Sequence, residues 1–141
     1  MRIRNVITGV AMSLFLLFMT TACEQDQKNL LTDGVWNFKN MTTDSEDETT
    51  QGIVFLAKAL MTEATMEFQE SGDYLITSPL MEEPTTGGWT LIGEDQLIMT
   101  PEGELASTAN IQVLSKNELK YMETYMDLSQ NPYTIITTWT R

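Results

Sequence analysis

From residue 34 to residue 140 the chain runs in short stretches of alternating apolar and polar positions, separated by turns rich in Gly, Asp, Asn and Pro. A period of two places every second side chain on one face of a strand, and the turn residues bound each strand. The pattern predicts strands over 34–41, 64–69, 74–78, 88–92, 96–100, 106–115, 119–127 and 133–140. In the first, Trp36 and Phe38 share a face. Met66 and Phe68 do so in the second, and Ala109, Ile111 and Val113 in the sixth. In the seventh, Leu119, Tyr121, Glu123 and Tyr125 face away from Lys120, Met122, Thr124 and Met126. Residues 53–61, "IVFLAKALM", read as a short helix from their Ala, Leu and Met content, although periodicity alone leaves a strand open. Residues 42–52 read as an acidic, turn-rich loop, and 79–87 as a longer loop with two prolines.

Tight turns join antiparallel neighbours. Eight such strands either close into a small barrel or stack as a sandwich. The absence of a long crossover late in the chain favours the barrel. The expected fold is therefore mainly all-β: an eight-stranded antiparallel up-and-down barrel with one short helix after the first strand. An eight-stranded barrel has an interior that side chains can just fill. The bulk of the inward candidates, among them Ile111 and Val113, predicts a mostly filled barrel with a shallow cavity at its mouth.

The N-terminal residues follow another pattern. Arg2 and Arg4 precede an apolar run from Val6 to Met19, too short for a membrane span, and then "TTAC", Thr20 to Cys23. Cys23 is the only Cys of the chain, and the sequence turns polar directly after it. This arrangement resembles a bacterial lipoprotein signal with "TTAC" as its lipobox. The resemblance implies cleavage before Cys23, a lipid on its sulfur and an acylated amine. Several acyl chains, at about 0.8 kcal/mol per buried CH₂, hold a protein stably to a membrane. The expected organisation is a signal peptide over 1–22, the lipidated Cys and a tether over 23–32, and the barrel over 33–141. Glu24 and Asp26 resemble signals that send such lipoproteins outward. The expected address is the outer membrane, with the periplasmic face and the cell surface both open.

The strand region carries a second likeness. "GVW", Gly34 to Trp36, resembles the Gly-x-Trp signature of lipocalins. "FQESGDY" (68–74), "GGWTLIGEDQL" (87–97) and "LSKNEL" (114–119) are similar to hairpins of small lipocalin-like lipoproteins common in the Bacteroidota. The resemblance implies that Trp36 plugs the closed end of the barrel and that a late Arg, here Arg141, packs across its ring.

Charge and chemistry narrow the function. The chain has 8 Lys+Arg against 20 Asp+Glu. Cleavage before Cys23 would remove Arg2 and Arg4, leaving 6 bases against all 20 acids. Such a balance excludes the basic footprint that nucleic-acid binding needs. There is no His, which removes the commonest general base and metal ligand. Asp44 to Glu48 lacks the Gly and Glu that an EF-hand loop requires, and Glu82 and Glu83 are sequence neighbours rather than carboxyls facing across a cleft. No catalytic residue, metal site or cofactor is therefore assigned, and a non-enzymatic module is expected. Its candidate partners are the membrane, through Cys23, and a small apolar ligand, with an envelope scaffold as the other form. The rivals are a glycan-binding accessory lipoprotein and a protein-partner or inhibitor module using a loop such as 79–88. Trp89, Trp139 and Tyr125 are the candidate ligand-facing aromatics, with burial in the core as the alternative for each Trp.

Overall fold

The computed structural model describes residues 25–141. The signal peptide expected over 1–22, and Cys23, lie outside the described residues. Helix α1 covers residues 25–32. It is followed by β1 (Val35–Thr43), α2 (Glu48–Leu60), β2 (Thr65–Phe68), β3 (Asp73–Thr77), β4 (Thr85–Ile92), β5 (Gln96–Pro101), β6 (Ser107–Leu114), β7 (Glu118–Met126) and β8 (Pro132–Thr140). The eight strands form a closed barrel in sequence order, each antiparallel to the next, and β8 returns to pair with β1. Closure leaves no free sheet edge, so every strand has two partners.

The register fixes which side chains point inward. Trp36 stands opposite Met66, Met66 opposite Ile76, Phe68 opposite Tyr74, Trp89 opposite Met99, Leu97 opposite Ala109, and Leu119 opposite Trp139. The largest fully buried side chains are Trp36, Trp139, Phe68, Leu31, Met66, Leu97 and Leu119. They occupy one end of the barrel, where the chain enters through α1 and where the turns 69–72, 93–95 and 115–117 lie. The loops 44–47, 78–84, 102–106 and 127–131 lie at the other end, the mouth.

Three expectations are displaced. First, residues 25–32 belong to the fold rather than to a tether: Leu31 is fully buried in the core cluster. Two adjacent leucines in a polar run gave too little periodicity to show a helix. Second, α2 begins at Glu48, inside the stretch expected as loop. Asp47 caps it, its carboxylate accepting from Thr50 N at 2.7 Å and Thr50 Oγ1 at 2.8 Å. The Ser/Thr/Asp content that reads as a loop is also the chemistry of an N-cap. Third, a bulge between Ile111 and Val113 reverses the facing of the end of β6. Val113 becomes exposed and Leu114 packs on the core instead. One extra residue in a strand of period two sends every later side chain to the opposite face.

Strands β2 and β3 are short, and α2 lies against β1 through a narrow seam. Its buried residues are Thr50 and Val54, while Ile53, Phe55, Leu56 and Leu60 are exposed.

Candidate functional site

The closed end is built around Trp36. Gly34 turns the chain out of α1 with φ +111°, a conformation that L side chains rarely adopt. This turn delivers Trp36 into the barrel with no exposed surface, and its Nε1 donates to Leu31 O at 3.0 Å. The guanidinium carbon of Arg141 sits 3.8 Å from the centroid of the ring. Arg141 is held in place by its own donors: Nη2 donates to the carbonyls of Leu30 and Leu31, and Nη1 to Lys116 O at 3.3 Å. Its backbone N donates to Asn117 O at 3.2 Å, so the last residue is stitched into the turn 115–117. A planar guanidinium over an aromatic face gains about 2 kcal/mol when desolvated. The arrangement shuts this end with an aromatic ring, a helix and a cation.

Trp89 and Trp139 are both buried in the core, the alternative left open for each Trp, rather than standing exposed as ligand-facing rings. Trp89 is 6% exposed and Trp139 1%. Trp89 packs edge-on to Phe68 at 5.3 Å, and its Nε1 donates to Gln69 O at 3.0 Å. Trp139 packs edge-on to Phe38 at 5.5 Å, and its Nε1 points to Tyr121 Oη at 3.4 Å. Both indoles follow the interior register of their strands, and each has its one donor satisfied inside the protein.

Tyr125 is different. It lies at the mouth end of β7, is 38% exposed, and stacks on Tyr133 directly opposite on β8, with centroids 5.8 Å apart and planes 27° from parallel. The ladder between β6 and β7 stops at Ala109 and Glu123. Beyond that point the strands separate. A cleft of about 500 Å³ opens between them, lined by Ser107, Thr108, Glu123, Thr124 and Tyr125, with Gln96 and Asn110 below. Its lining comes from both faces of the sheet, so the cleft opens through the wall beside the mouth. A hollow of about 510 Å³ outside the closed end is lined by Asp26, Asn29, Leu30 and Glu70, and no interior-facing side chain lines it.

Glu123 is the residue that the sequence reading placed on the right face but did not single out. A carboxylate in register with Leu119, Tyr121 and Tyr125 is the signal that marks it. It projects into the barrel between Ala109 and Ile135. Burial raises its pKa, and the hydroxyls of Ser107 and Tyr125 pull it part of the way back. Burial first, and then the charge of Glu123, raises the pKa of both Tyr121 and Tyr125. Among the described residues Glu123 has no Lys or Arg within ion-pair distance; the one ion pair there joins Arg141 and Asp33 at 3.9 Å. No group of three or more potential metal ligands occurs among those residues either.

The raised pKa has a consequence for stability. Between the unfolded and folded pKa values of Glu123, the folded protein binds the extra proton, so stability falls as pH rises through that window. Asp44 and Asp47 act in the opposite sense: hydrogen bonds from Thr134 and from Thr50 lower their pKa values, and their contribution is lost as pH falls. Glu123→Gln is therefore expected to raise the melting temperature at pH 8, with the gain shrinking towards pH 4. Melting curves across that range check it, and a pH-independent difference would contradict the assignment.

The model of the lipocalin-like domain family matches residues 32–121. That span runs from the end of α1 through β7 as far as Tyr121, and includes Gly34, Trp36 and Trp89. No curated protein matches the chain.

Proposed function

Since the chain belongs to the lipocalin-like domain family, we propose that it is a non-enzymatic binding module of a bacterial envelope, held to the outer membrane by a lipid on Cys23. The observation that carries the binding reading is the asymmetry of the barrel. One end is filled and shut by Trp36, Arg141 and α1, while beside the other a cleft opens that is lined by polar groups and the ring of Tyr125. The two strands that wall the cleft are held from their far sides, β6 by its pairing with β5 and β7 by its pairing with β8. The anchor reading rests on the sequence Thr20 to Cys23. It agrees with the geometry to this extent: α1 leads into the closed end, so an anchor preceding it leaves the mouth facing away from the membrane. Among the described residues no helix is long and apolar enough to cross a membrane.

Two measurements test the proposal. A thermal-shift screen of lipids, bile acids and small aromatic compounds against the full chain is expected to give a shift with at least one class. No shift with any of them removes the binding reading. Mass spectrometry of the membrane-extracted protein is expected to show a lipid-modified Cys23, and an intact Met1 start would overturn the anchor. Protease treatment of whole cells then separates a surface position from a periplasmic one.

A second reading, docking of a protein partner at the mouth, has its own support. Leu105 and Leu128, at the tips of two mouth loops, are 93% and 91% exposed. Co-purification from detergent-extracted membranes tests it, with the expectation that Leu105→Ser together with Leu128→Ser abolishes capture. The glycan platform has lost its motive, because all three indoles are buried.

A further inference from the structure

Resting on the binding reading above, we infer that the cleft between β6 and β7 takes a small organic cation, an ammonium group attached to an apolar body, with Glu123 as its counter-ion and Tyr125, backed by Tyr133, as its aromatic wall.

Three independent observations lead there. The first is the placement of Glu123. It is the acidic side chain on the interior register of β7, it lines the cleft, and no cation of the described chain answers it. A carboxylate taken partly out of water without a positive partner costs free energy. The hydroxyls of Ser107 and Tyr125 act to lower its pKa but bring no charge. A ligand ammonium would supply what the protein leaves out.

The second observation is the aromatic pair. Tyr125 lines the same cleft and is still open to solvent, and Tyr133 stacks on it from β8. The negative face of a tyrosine ring attracts an ammonium ion, and more so where water is partly excluded. A carboxylate beside aromatic rings favours a cation over a neutral molecule of the same shape, because both elements then act on the charge.

The third is the field at the mouth. Each of the four mouth loops carries acid: Asp44 and Asp47, Glu82 and Glu83, Glu102 and Glu104, and Asp127. None of those loops contains a Lys or Arg. Lys28, Lys116 and Arg141 lie at the closed end instead. Some of these acids have local structural duties, as Asp47 does in capping α2, but their charge still acts at longer range. Lys58, in the last turn of α2 beside the 78–84 loop, offsets part of this charge; the acidic excess concentrates cations at the opening and repels anions such as fatty-acid carboxylates.

The test uses the full-length chain in non-ionic detergent with three probes of similar shape: phenylethylamine, protonated at pH 7.5, phenylethanol and phenylpropionate. Binding is followed through the amide resonances of Ser107, Glu123 and Tyr125. The ammonium probe is expected to shift these resonances and to bind at least tenfold more tightly than the alcohol. The carboxylate is expected not to bind. Glu123→Gln should weaken the ammonium probe at least tenfold while leaving the fold intact, and Tyr125→Leu should weaken it without touching the carboxylate. Equal binding of the alcohol, or undiminished binding to Glu123→Gln, overturns the cation. If none of the three probes binds while a neutral compound from the thermal-shift screen does, the cation inference fails and the binding module stands. Failure of both panels removes both.

Discussion

Trp36→Ala is expected to lower the unfolding free energy by about 3–5 kcal/mol, the cost of emptying a fully buried indole site. The ring has no exposed surface, so the whole of its area returns to water or leaves a void. Three further losses follow from its surroundings. Leu31 O loses the indole donor at 3.0 Å. Arg141 loses the face it covers at 3.8 Å, leaving its guanidinium above a cavity. Leu31 and α1 lose the surface that keeps them against the end of the barrel. Urea unfolding measures the change directly, and a fall of about 10–20 °C in melting temperature accompanies it for a domain of this size. An unchanged melting temperature would mean that the closed end is not shut by this ring. Arg141→Ala is expected to cost less, about 1–2 kcal/mol, because the indole stays in place and loses the cation over one face together with that cation's hydrogen bonds to Leu30, Leu31 and Lys116.

Gly87→Ala carries the next largest effect, about 3 kcal/mol or more. Gly87 faces the interior in the middle of the wall, paired with Tyr74 on β3 and Pro101 on β5. A Cβ built there overlaps the Thr100 carbonyl and lies 2.8 Å from both Pro101 Cα and the Tyr74 ring. Two of these three neighbours are backbone, so the site cannot yield by rotating a side chain. Either β4 and β5 move apart or the Tyr74 ring leaves its buried position. The adjacent Gly88 provides the control. Its Cβ would meet only Gly72 O, at 3.7 Å, an ordinary contact. Gly88→Ala is expected to be neutral or slightly stabilising, since glycine loses more freedom than alanine on entering a strand. Similar losses from the two substitutions would show that strand propensity, not the close approach at Gly87, sets the cost. Chemical denaturation of the pair decides the matter.

These two residues differ in how far they were legible. Trp36 stands out in the sequence, because a Gly-x-Trp at the start of an alternating run is both a register mark and a family likeness. Gly87 does not stand out: it ends the stretch 79–87 that reads as a loop, while Gly88 opens the strand expected over 88–92. Its place in the strand comes from pairing with Tyr74 and Pro101, and Tyr74 is 13 residues away in sequence. Residues 25–32 and the start of α2 were missed for a related reason. Leu31 has meaning only beside Trp36 and Arg141, and the cap at Asp47 is written in the residue types that also make loops. The bulges in β1 and β6 belong to the same group, since pairing with a neighbour creates them and no local pattern announces them.

The candidate site divides in the same way. Tyr125 and Glu123 lie on one face of β7 by alternation alone. That the cleft opens beside them depends on where the β6–β7 ladder ends, which is a property of two strands together. Trp89 and Trp139 also needed the barrel to be closed before their burial was decided.

The alternation along the chain, read by itself, determined the eight strands, their antiparallel order and the closed barrel, because a period of two and tight turns leave few other ways to bury those faces. The absence of His and the acidic balance set the chemistry the chain lacks. Only the tertiary structure decided which aromatics are covered, where the last Arg goes, and which carboxylate stands in a cleft without a cation. Those depend on burial and on distances between strands remote in sequence, and a side chain's environment is made by neighbours that local pattern cannot identify.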